Sequence, residues 1–104
     1  MKIGIIRCNS HSEACPAAGC LKAVRDRTGK FAEYEEDLTL VGLDTCGGCS
    51  RGTGDRVAKK AEKFAALGAE VIHLGNCLVT PCPYKDVFTT TVEDVGLKVV
   101  HGTH

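Results

Sequence analysis

LTLVGLDTCGGC, residues 38–49, decides the fold. Its first six residues form a short, near-continuous apolar run rich in leucine and valine, as strands buried on both faces do. The run passes through Asp44 and Thr45 and ends on Cys46, so a strand hands over almost directly to a thiol. The same arrangement recurs three times. KIGII at 2–6 ends at Arg7 and Cys8, EVIHLGN at 70–76 ends at Cys77, and LKVV at 97–100 ends at His101, with His104 three residues on.

Helical patterns lie between these runs. In residues 54–68, Val57, Ala61, Phe64 and Ala65 make one apolar stripe, with Thr53 placed as an N-cap and Gly68 as a stop. In residues 82–96, Pro83 suits a first-turn position, Val87, Phe88, Val92 and Val95 share a face, and Gly96 ends the pattern. In residues 15–29, Pro16 again follows a cysteine, and Cys20, Ala23, Val24 and the stem of Arg27 line one side. KFAEYEED at 30–37 reads either as a continuation of that helix or as an irregular connection. Strand–helix alternation of this kind predicts a single α/β domain over residues 1–104, a small three-layer, doubly wound fold with four mostly parallel strands. The expected strand order is 2-1-3-4, a shortened flavodoxin-like topology.

Composition excludes several functions. Lysine plus arginine equals aspartate plus glutamate at 13 each, so no basic field points to nucleic acid and no acidic tail is present. The N-terminal apolar run is too brief for a signal peptide or a membrane span, which makes a cytoplasmic location the expectation. Cysteine is the outlier, with seven residues at 8, 15, 20, 46, 49, 77 and 82, beside four histidines at 11, 73, 101 and 104. An odd count with no signal peptide argues against a disulfide framework; in a reducing compartment such cysteines bind metal or do redox chemistry.

In a parallel sheet all carboxyl ends lie on one edge, where open α/β folds bind ligands. Cys8, Cys46 with Cys49, Cys77, and His101 with His104 are therefore expected to converge. Gly47 and Gly48 free the backbone to turn between two sulfurs, and Cys15 and Cys82 stand at two helix starts on the same edge, where the helix dipole favours a thiolate. Cys20 and His73 fit the core better than the site, and His11 lies in the loop after Cys8. The glycines at 47, 48, 52 and 54 match neither a dinucleotide fingerprint nor a P-loop, and a thioredoxin-like reading of CGGC leaves five cysteines unexplained.

KIGIIRC, EACP with Cys20, LVGLDTCGGC, EVIHLGNC, the PCP at 81–83 and the closing HGTH together resemble the CGGC-domain family of small bacterial and archaeal proteins, over essentially the whole chain. That resemblance implies metal binding, with zinc suggested by the cysteines and histidines, a ligand pool of Cys8, Cys15, Cys46, Cys49, Cys77, Cys82 and His104, and no assigned reaction. The residues themselves support two functions. One is a metal-binding domain, with zinc or an iron–sulfur cluster as cofactor. The other is a thiol–disulfide redox protein exchanging through Cys46 and Cys49, which requires a redox partner protein.

Overall fold

The computed structural model describes residues 1–48, 52–80 and 82–104, with the main chain alone at His11. Four strands, β1 (Lys2–Arg7), β2 (Thr39–Thr45), β3 (Val71–Leu74) and β4 (Lys98–His101), form one sheet in the order β2-β1-β3-β4. Every neighbouring pair is parallel, as the alternation of runs and helical patterns predicts. Among the described residues no helix is long and apolar enough to cross a membrane.

The boundaries differ from the sequence reading where the chain meets the carboxyl edge. β2 extends through Thr45, because Asp44 and Thr45 still pair with Ile6 and Arg7 of β1. β3 stops at Leu74, since Asn76 already begins a single helical turn, α4 (Asn76–Val79). A matching turn, α1 (Asn9–Ser12), follows β1. Just before α4 the Gly75 N–H donates to Ile6 O of the neighbouring β1 at 2.8 Å, and the Ser12 N–H closes the turn of α1 on Cys8 O at 3.0 Å.

Helices cover both faces of the sheet. α3 (Thr53–Ala66) and α5 (Lys85–Asp94) bury Val57, Ala61, Phe64, Phe88 and Val92 against Ile6, Ile72 and Leu74 on one side. α2 (Ala18–Asp26) and a 3₁₀ turn at Gly29–Glu33 bury Cys20, Ala23 and Phe31 against Ile3 and Ile5 on the other. Residues 29–33 therefore break from α2 instead of continuing it. Arg27, in the left-handed region at φ 58°, closes α2, and its guanidinium donates to the carbonyls of Phe31 and Tyr34. Ala65 and Val87, expected on the buried stripes, face solvent.

One packing contact fixes the height of α3 above the sheet. The β1–β2 register shifts between Ile3 and Gly4, leaving Val41 as the extra residue and placing Gly4 opposite Gly42. The Phe64 ring lies over both. A Cβ on Gly4 would sit 2.6 Å from that ring and 2.9 Å from Ile72 Cδ1, and one on Gly42 would sit 2.6 Å from the ring. The two glycines inside otherwise good strand sequences are the seat for one aromatic side chain.

Candidate functional site

Cys8, Cys46 and Cys77 each follow a strand, and the three strands are adjacent, so their backbones meet at one edge. Cys8 and Cys46 are buried, and Cys77 is half-buried. The Cys8 N–H donates to Cys77 Sγ at 3.1 Å, across the β1–β3 boundary. The Cys46 N–H continues the β1–β2 ladder to Arg7 O at 2.9 Å, which places Cys46 on the far side of β1. Burial pushes the Cys77 thiol up from its ordinary pKa; the Cys8 N–H opposes this, and the neighbouring Cys8 and Cys20 sulfurs add to it.

The CGGC loop turns as its glycines allow. Gly47 and Gly48 take φ 84° and 110°, a region that side chains with a Cβ rarely enter. Gly48 O accepts from the Thr53 hydroxyl at 2.6 Å and from the Arg56 guanidinium at 3.2 Å, which ties the loop to the first turn of α3. Thr53 is thus not the N-cap. Gly52 holds that position, and the Thr53 hydroxyl serves the loop. Cys49 lies outside the described residues.

The remaining candidates divide. Cys15 is exposed beside the start of α2, and its carbonyl accepts from Arg7 Nη1. His104 is held in place: Asn76 Nδ2 donates to His104 O at 2.6 Å and lies 3.3 Å from its ring Nδ1, while Asn76 Oδ1 accepts the Thr103 N–H at 2.9 Å. Gly19 and Gly29 leave room for this segment; a Cβ on Gly29 would meet Thr103 O at 2.6 Å. Cys82 is half-buried against the α3–α5 core. His101 is turned away toward α5, its Nε2 2.8 Å from Thr89 Oγ1. His73 is a core residue, fully buried and bonded at both ring nitrogens.

A cleft of about 140 Å³ opens at this edge, lined by Arg7, Cys15, Cys20, Asn76, Cys77 and His104. Sequence reasoning missed Arg7 and Asn76, although a signal was present. Each immediately precedes a strand-end cysteine, and polar residues placed there face the same edge. Cys20 keeps its core position at 7% exposure but also borders the cleft, its Sγ 3.3 Å from Thr103 Oγ1. Soft sulfur donors suit zinc or iron. Among the described residues no three of histidine, cysteine, aspartate or glutamate stand at metal-ligating spacing. A closed ligand shell therefore depends on Cys49 and on side-chain turns at the other thiols.

The chain is 38% identical to an uncharacterized protein of Methanocaldococcus jannaschii, in an alignment covering all of this chain and 87% of the relative. No solved structure matches it. The model of the CGGC domain matches residues 2–104, and the chain belongs to that cysteine-rich family.

Proposed function

We propose that the protein binds a thiophilic metal at the carboxyl edge of its sheet, zinc foremost and an iron–sulfur cluster as the alternative. Cys8, Cys46, Cys49 and Cys77 are the ligands, with His104, Cys15 and Cys82 as further donors. The observation that carries this reading is the contact between Cys8 and Cys77. Two thiol-bearing residues that follow adjacent strands are joined, and one sulfur already receives an oriented backbone N–H, as metal-bound thiolates do. The bound cation would neutralise the charge of ligands that must lose their protons, and the glycine hinge at 47–48 gives the loop freedom to bring in Cys49.

Thiol–disulfide exchange through Cys46 and Cys49 is less well served. Exchange needs an accessible thiolate approached by a second sulfur, whereas Cys46 is 1% exposed.

Anaerobic purification followed by elemental analysis and a visible spectrum tests the proposal. One equivalent of colourless zinc supports it, as does iron with absorption near about 400 nm. Cys77→Ser and Cys46→Ser should lose the metal while Cys20→Ser keeps it. Protein that carries no stoichiometric metal and readily forms a disulfide between Cys46 and Cys49 overturns it.

A further inference from the structure

The cleft at the β1–β3 edge has a second property, which does not depend on a metal. Arg7 is half-buried at the end of β1, and among the described residues no carboxylate pairs with it. Its Nη1 donates to the Cys15 carbonyl, but its Nε is fully shielded from solvent and has no hydrogen-bond partner among the described residues. Partly buried charges are normally paired, and an orphaned buried donor is costly. None of the six lining residues is an aspartate or a glutamate.

The surroundings add to the positive potential. α2 starts beside the cleft at Ala17, which is fully buried in the left-handed region at φ 63°, and no side chain caps its first turn. Uncapped N–H groups at a nine-residue helix start favour an anion nearby. The His104 ring rests against Gly19 in this first turn, and its Nε2 has no hydrogen bond among the described residues. The volume, about 140 Å³, is several times the ~30 Å³ share of one water molecule, enough for a small polyatomic ion.

We propose that this cleft is a binding site for a small oxyanion of the phosphate or sulfate class. The Arg7 guanidinium holds it against the amino end of α2, beside the Cys20 and Cys77 thiols. Arg7 is the anchor, and the Asn76 clasp presents the His104 ring as a second donor. The basic stripe of α3, with Lys59, Lys60 and Lys63, is the competing anion surface. It differs in kind: Lys60 is already paired with Asp44 at 3.0 Å.

The test is titration of the full chain with inorganic phosphate, and separately with sulfate, by calorimetry and ¹H–¹⁵N NMR. Both protein as purified and chelator-treated protein are used, with metal content measured independently so that the metal proposal stands or falls separately. Saturable one-to-one binding with Kd at or below about 1 mM is expected. The shifted amides should be those of Arg7, Gly19, Asn76, Cys77 and His104. Arg7→Gln should weaken binding by at least about tenfold, and Arg7→Lys should recover part of it. Should Arg7→Gln fail to fold, the amide map of the unaltered chain decides. Non-saturable shifts, shifts centred on Lys59, Lys60 and Lys63, or binding unchanged by Arg7→Gln would each overturn the proposal.

Discussion

His73 should make folding stability fall with acidity in a predictable window. It is fully buried. Its Nδ1 lies 2.9 Å from Gly102 O, and its Nε2 lies 2.7 Å from Tyr34 Oη. A carbonyl only accepts, so Nδ1 carries the proton and Nε2 accepts the tyrosine hydroxyl, which fully satisfies the neutral ring in one tautomer. Burial pushes the His73 pKa below its ordinary value, and the Gly102 carbonyl and Glu33 offset this only in part. The unfolded chain, with a histidine pKa of about 6.5, then takes up a proton that the folded chain refuses. The contribution of His73 is therefore complete above about pH 6.5 and is lost as pH falls toward the folded-state pKa. The slope cannot exceed about 1.4 kcal/mol per pH unit, so the loss between about pH 6.5 and pH 5 is at most about 2 kcal/mol. Urea unfolding of the unaltered chain and of His73→Gln across that range isolates the effect, because His11, His101 and His104 are common to both. The two stability curves should converge toward acid pH. Parallel curves would refute the reasoning, as would an unaltered chain that gains stability on acidification relative to the variant.

Two further outcomes follow from the packing. Gly4→Ala drives a methyl group into the Phe64 ring and Ile72, and should cost about 1–3 kcal/mol in urea unfolding. Phe64→Leu in the same chain should return part of that loss, giving a favourable coupling in a double-mutant cycle. Asn76→Ala removes three contacts to Thr103 and His104 and should cost about 1–3 kcal/mol, leaving the Thr103 N–H to find water.

The sheet was legible because its strands are buried on both faces and read as uninterrupted apolar runs between glycine-stopped helices. Strand order and the shared carboxyl edge followed from that alternation. The one-turn helices α1 and α4 were not legible, since four residues cannot show a helical period. Their presence is why β3 ends before Gly75 instead of reaching Asn76. Thr53 looked like a cap because caps are local signals, but the helix already includes Thr53, Gly52 holds the cap position, and the Thr53 hydroxyl donates to Gly48 O. Arg7 and Asn76 were passed over because a search for thiols and imidazoles does not count a guanidinium or an amide. Their value appears only when segments distant in sequence are seen to share one cleft. The partner that restrains His104, Asn76, lies 28 positions away, beyond the reach of any local signal.

The Asn76 clasp ties the cleft to the outermost strand of the sheet. Among the described residues β4 pairs only with β3, and edge elements open more readily than central ones. Opening β4 would carry the 102–104 segment away only if the Asn76 bonds to Thr103 and His104 broke as well. Cleft and edge strand thus form one cooperative unit. By mass action, any ligand that needs His104 should slow amide hydrogen exchange along β4, in residues it never touches.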